Sequence, residues 1–298
     1  MNLLARFSLI FVLVFAPGLI LVGYFSKQFL EDQAQEQVHK QAQLMMETAL
    51  AARQYTATHI QPLINGPLKD PGTFHAESVP AFAATELFLK LKDSNPIYSD
   101  YAYKEAVLNP TNPRDQARGW EEDIVNEFRN HPERKQIDGQ RGTPTGDLMF
   151  LAHPLVVPKD EQCLTCHGVR DDAPPAMIKA YSLEGSNNGF GWKEGETIGA
   201  QVVSVPMSRP LAIAEAAVRK LMIWLIVGGL ATLAILDATL YFAVIRPIQR
   251  IAANADAISK GDTGIPELPV AGAKEISVLA AAFNRMHRSL DKAMKLIE

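Results

Sequence analysis

Two long apolar stretches constrain this chain more than anything else in it. Phe7 to Phe25 carries no charge over 19 positions, which at ~1.5 Å per helical residue is roughly 28 Å, close to a bilayer core of ~30 Å. Arg6 stands ahead of it as in a secretory signal. No small-x-small cleavage site follows, however, and Phe25-Ser26-Lys27-Gln28-Phe29 leads into a helical pattern, so an uncleaved anchor is expected. Pro17-Gly18 is compatible with a membrane span. Leu221 to Ile245 is a second stretch, 25 residues with Asp237 as its one charge, and it too can span with some tilt. Two spans return both termini to one side. Flanking charge does not orient them, because Arg246 and Arg250 at one end of the second span are matched by Arg219 and Lys220 at the other. Asp237, about 12 Å along the helix from Ile245, is either a functional intramembrane carboxylate or a residue brought near the interface by tilt, with the second reading favoured.

Between the spans the pattern is that of a folded α+β domain. Lys27 to Ile60 reads as one helix with Val38, Ala42, Met45, Ala49, Ala52, Thr56 and His59 on one stripe, spaced by four and three. The stripe is mostly small residues, suited to close approach by another helix or a flat ligand. Pro62 and Asn65-Gly66-Pro67 end the helix. Helical patterns follow at Pro80 to Lys92 and Asp115 to Arg129, and strand patterns at Asp147 to Val157 and Thr197 to Val205. Asn109 to Pro113, Gly139 to Gly146 and Gly185 to Gly191 carry turn chemistry. A small antiparallel sheet flanked by helices, PAS-like in kind, is the expected fold. After the second span, Ile248, Ile251, Ala255 and Ile258, then Ile276, Leu279, Phe283, Met286 and Leu290, repeat heptad spacing on either side of a Gly261 to Gly272 connector. Two short helices with such seams need a second copy of the chain.

Charge excludes one class of partner. With a formal net charge of -4, a pI near 6.0 and no run of Lys and Arg interleaved with aromatics, nothing resembles a nucleic-acid footprint.

The chemistry concentrates in Cys163-Leu164-Thr165-Cys166-His167, which contains both cysteines of the chain. The C-x-x-C-H spacing lets two sulfurs straddle one porphyrin edge and carries the next imidazole beneath the iron, so a covalent c-type haem is the expected cofactor, with His167 as the proximal ligand. A zinc site would lack an evident fourth cysteine donor, and a thioredoxin-like pair would open a helix after a parallel strand. Covalent haem attachment takes place outside the cytoplasm, which puts the intervening domain in the periplasm of a bacterial inner membrane and both termini inside.

These residues carry a family resemblance. Val79 to Glu86, Tyr103 to Ala106, Leu108 to Pro113, Trp120-Glu121, Cys163 to Gly168 and Gly189-Phe190-Gly191-Trp192 resemble the Tll-type periplasmic c-haem sensor domain, over about half the chain up to Met207. The resemblance implies a PAS-like fold, thioether bonds at Cys163 and Cys166, and His167 on the iron. The known member's second axial ligand is a cysteine from its N-terminal region, and this sequence has no third cysteine. His59, on the small-residue stripe, is the expected replacement, with His75 and His153 next, Met45, Met149 and Tyr55 as further donors, and an open or water-bound position as the alternative. His39, His131 and His287 sit in polar or heptad surroundings. The last 53 residues resemble a HAMP domain, with Pro247 leading in and Glu275 opening the second helix.

The segments expected are a first span over 1–25, a periplasmic helix over 26–60, the haem domain over 61–210, a linker and second span over 211–245, and HAMP over 246–298. The expected function is that of a sensor, not an enzyme. Redox state or a gas (NO, CO, O2) at the haem biases a homodimer formed through HAMP and the N-terminal helix. Because the sequence given stops just past the second HAMP helix, output is expected from a separate histidine kinase or other cytoplasmic signalling protein, or from sequence beyond Glu298. The alternatives are a membrane-tethered monohaem electron carrier, which has no use for HAMP helices, and a chemoreceptor-like module with a structural haem.

Overall fold

The computed structural model describes residues 3–294 apart from 67, 71, 145, 160 and 263. Pro67 of the expected turn therefore lies outside the described residues, as do single positions of the 139–146 segment and of the connector. The described chain divides into two compact units, residues 29–215 and the pairing of 1–28 with 216–298.

In the first unit the helix α1 (Leu3–Tyr55) passes through one π turn, Thr56–Ile60, into α2 (Gln61–Asn65). There follow α3 (Pro80–Ser94), β1 (Ala102–Val107), α4 (Trp120–Asn130), β2 (Ile137–Thr143), β3 (Gly146–Val156), α5 (Glu161–His167), α6 (Pro175–Ala180) and β4 (Thr197–Pro206). The described strands make one four-stranded antiparallel sheet in the order β1-β4-β3-β2. Strand alternation divides the core cleanly. Tyr103, Met149, Leu151, Val203 and Val205 point to one face, where they meet Phe88 and Ala84 of α3 and Val38, Ala42, Met46 and Ala49 of α1. Ala106, Ala152, Ala200 and Val202 point to the other, under Ile124, Val125 and Phe128 of α4. This is the α+β, PAS-like arrangement expected, with its long N-terminal helix.

Three expectations are corrected. The small-residue stripe of α1 packs on the domain's own sheet, so it is not left open for a partner helix, and Met46 takes the central seat with Met45 at its margin. Gly139 to Gly146 is largely strand, not turn: β2 is a polar edge strand in which Gly139 faces Phe150, whose ring lies 3.0 Å from where a Cβ would stand. Its glycines hid a strand that alternation alone cannot reveal. The helix expected from Asp115 begins at Trp120, after Gly119 takes φ +54°.

In the second unit, two helices are long and apolar enough to cross a membrane, the N-terminal part of α1 and the part of α7 (Ser208–Leu240) from Leu221 onward, which runs through a π turn at Tyr241–Ile245 into α8 (Arg246–Ser259). Val14 and Trp224 are each 73% exposed, as lipid-facing residues are and core residues are not. The two stretches touch at three levels. Met222 packs at the Gly23 position, Phe15 at Gly229, and Ser8 Oγ donates to Asp237 at 3.0 Å. The paired numbers rise by seven or eight on one helix as they fall by as much on the other, the signature of antiparallel helices meeting every second turn. Asp237 thus has a hydrogen-bonding partner, Ser8, at the N-terminal start of the first apolar stretch. Past the connector, α9 (Lys274–Met294) packs Ala280 and Phe283 on Leu268, and Asn284 clamps the Leu268 backbone with bonds of 2.9 and 2.8 Å. Leu279, Met286 and Leu290 stay exposed on α9.

Candidate functional site

The short helix α5 ends at His167, and its imidazole is held by both backbone and side-chain contacts. His167 Nδ1 donates to the Gly189 carbonyl at 2.8 Å, with Thr111 Oγ1 at 3.3 Å. The ring stacks on Trp192 at 4.0 Å and 15°. Trp192 N donates to the His167 carbonyl and Gly191 N to that of Gly168, which zips the end of α5 to the 189–192 loop. Asn109 closes the arrangement: its Oδ1 accepts from Gly189 N at 3.1 Å and its Nδ2 donates to the Phe190 carbonyl at 3.1 Å. Gly189 has φ +80°, and a Cβ there would stand 2.2 Å from Thr111 Oγ1, so only glycine presents this carbonyl to the histidine.

With Nδ1 committed as a donor, Nε2 is the nitrogen left with a lone pair. Burial holds the His167 pKa below the usual imidazole value, against the Gly189 bond, so the ring is neutral near pH 7. Burial, and then Cys163, raise the Cys166 thiol.

His167, Cys163 and Cys166 line one cavity of about 460 Å³, within the range that takes a cofactor. Cys163 borders an apolar cluster of Val107, Val157 and Ile198, and Cys166 another of Ala173, Met177, Leu183 and Phe190. Polar groups make up the remaining wall: Arg53, Gln54 and Gln61 from the N-terminal helix, with Glu105, Arg114 and Asp115. Arg114 Nη1 bonds Glu86 at 2.8 Å and its guanidinium lies 5.1 Å over Phe82. Arg53 pairs with Glu105, which also accepts from Tyr103 Oη at 2.8 Å, and Gln201 Nε2 donates to that phenol at 3.1 Å. Burial, then the neighbouring Glu105, push the Tyr103 phenol up. Among the described residues no group of three or more His, Cys, Asp or Glu side chains is placed to hold a bare metal ion.

The structure brings together Cys163, Cys166 and His167 but does not bring His59 to them. His59 is exposed and stacks on Tyr55 at 5.0 Å. The helix face on the cavity is Arg53, Ala57 and Gln61, with Gln54 beside it. His59 lies two residues from Ala57, about half a turn away. His75 is half-buried but not among the cavity's lining residues, His153 bonds Gln136 at 3.4 Å, and Met149 and Met45 belong to the sheet core. Sequence reading missed Asn109, Thr111 and Arg53. The Leu108 to Pro113 segment was legible as a turn and as part of the family resemblance, without a role for either residue, and Arg53 as one more charge on a helix.

Residues 31–206, more than half of the chain, match the Tll0287-like family. The chain belongs to that family. Its Tll0287-like domain is followed by a HAMP domain, matched over residues 240–292. A Tll0287-like domain and a HAMP domain beside two helices able to cross a membrane make the architecture of a membrane sensor or signal transducer. Among solved structures, the crystal structure of the cyanobacterial heme-protein Tll0287 is 16% identical, with a TM-score of 0.41, over 56% of this chain and 93% of that one. No curated protein matches.

Asp115 gives the Tll0287-like domain a pH signature. Burial raises its carboxyl to about 6 despite Arg114, so the fold favours the protonated form. Stability from this group is present in full below the ordinary carboxylate pKa and is lost as pH rises through about 6. Asp115→Asn is expected to remove that loss, raising stability at pH 7 by on the order of 2 kcal/mol while leaving pH 4 unchanged. Thermal melts of the full chain in detergent at both pH values check this.

Proposed function

We propose that this chain is a two-pass sensor of a bacterial inner membrane that carries one haem c in its Tll0287-like domain. Cys163 and Cys166 form the thioether bonds, His167 Nε2 ligates the iron, and a HAMP homodimer passes the signal to a histidine kinase or other cytoplasmic signalling partner. The observation that carries this reading is the Nδ1 bond of His167 to the Gly189 carbonyl, made in a cavity that both cysteines also line. It fixes the tautomer a proximal histidine needs. The residues fit the group in other ways. Apolar clusters flank each cysteine as a porphyrin requires, and Arg114 on the cavity wall is a cation for its carboxylates.

When bound, the haem supplies an iron that changes charge or ligation. The chain's own residues do the rest. Trp192 and Gly189 hold the imidazole, and Glu105 and Arg53 tie the cavity wall to α1. In this reading residues 1–25 and 211–245 contain the spans, 26–60 the periplasmic helix, 61–210 the sensor and 246–298 the HAMP domain, with 26–210 outside the cytoplasm. No catalytic role is assigned. Leu279, Met286 and Leu290, exposed at heptad spacing on α9, are the seam for the second copy. A monohaem electron carrier would have no use for that seam.

The test is a single cysteine at that seam. In Leu279→Cys, with both native cysteines consumed by the haem, a short bis-maleimide is expected to join two copies at a rate that changes when the haem is reduced. An unchanged rate would favour the electron carrier, and no crosslinking would remove the dimer.

A further inference from the structure

We propose that the iron of this domain keeps a position for a small exogenous ligand, a neutral diatomic gas in place of water, and that the side-chain amides of Gln54 and Gln61 hold it. The inference rests on the haem reading above and adds to it which class of signal the site takes. It begins with what the N-terminal helix turns toward the cavity. Arg53, Gln54, Ala57 and Gln61 line it, and none of them is a histidine, cysteine, methionine or tyrosine. The two strong donors on that stretch, Tyr55 and His59, are exposed and stacked on each other, with His59 Nδ1 also 2.7 Å from Thr58 Oγ1. Neither is among the residues that line the cavity.

What that wall offers instead is hydrogen-bond donors beside a small residue. Arg53 is committed to Glu105, whereas the amides of Gln54 and Gln61 have no hydrogen bond of their own in the described structure. Ala57, between them, takes up little room. A polar, donor-lined pocket with space beside it is what favours a bound diatomic over an internal ligand. Elsewhere in the cavity, Tyr181 packs edge-on against Phe74, and burial raises its phenol, which disfavours the phenolate a ligand would be. Met177 is 2% exposed within the cluster that borders Cys166, on the flank of the thioether sites.

The probes are carbon monoxide and dioxygen, added to the dithionite-reduced and the desalted ferrous full-length protein in detergent. Wild type is expected to bind carbon monoxide saturably. In a Gln54→Leu, Gln61→Leu double variant the C–O stretch should move up and dioxygen should dissociate about tenfold faster, as when one net hydrogen bond is lost. Both residues are at least partly exposed, so the variant is not expected to disturb the fold. Haem-loaded protein that takes up no carbon monoxide would overturn the proposal. So would an iron–thioether band abolished by Met177→Leu, or a C–O stretch that the double variant leaves unmoved, in which case the amides serve the haem carboxylates. A preparation with no haem at all would overturn the haem reading itself, a failure visible before any gas is added.

Discussion

A Cys163→Ala, Cys166→Ala double variant is expected to lose all covalently attached haem, while each single variant keeps one thioether bond and stains weakly. The effect is all or none because the chain has no other thiol to substitute. Denaturing gels stained for haem and then for protein read it directly. The fold should survive the change, since both cysteines sit at the margins of their apolar clusters and the sheet core does not include them. Full staining of the double variant would mean that the colour comes from something else.

The largest effect on stability is expected from Arg53→Met. Glu105 is 4% exposed, and its carboxylate is held by Arg53 and Tyr103. Removing the arginine leaves a buried charge with one neutral donor, a loss of about 3 kcal/mol. Arg53→Met combined with Glu105→Leu should recover most of it, because the desolvation cost goes with the carboxylate. Chemical denaturation of the four proteins in one detergent gives the cycle. If the single variant costs no more than a surface ion pair, then the pair does not tie α1 to the sheet. In the proposed reading, that link joins the cavity wall to the helix that carries the first apolar stretch.

Much of this was legible in the sequence, for reasons that differ by element. β3 and β4 were visible because Leu, Val and Ile alternate or run unbroken between glycine and proline, as buried strands must. The membrane stretches and the heptads past Arg246 declare themselves by length and period. β2 was hidden because an edge strand needs no apolar face, and β1 because Lys104 and Glu105 interrupt it. Each of those charges is spoken for in the fold, Lys104 by Glu121 at 2.6 Å and Glu105 by Arg53. The heptad reading of α1 held over Val38 to Ala49 and failed at His59, where a π turn alters the phase by an amount no periodic template contains. The Cys163 to His167 motif pointed in the sequence to three side chains that the fold brings to one cavity. The groups that aim His167 are scattered over Asn109, Thr111, Gly189 and Trp192, and nothing in composition or spacing joins them. Only the family resemblance had marked those segments together.

The central claim is that Cys163 and Cys166 hold a haem by covalent bonds beside a pre-aimed His167. An alkaline pyridine haemochrome spectrum of the purified wild-type chain, taken after denaturation and acid-acetone extraction, tests it most directly. The account predicts that the colour stays with the polypeptide and gives the spectrum of a haem with both vinyl groups saturated by sulfur. Colour passing entirely into the acetone, or no haem in either fraction, would contradict it.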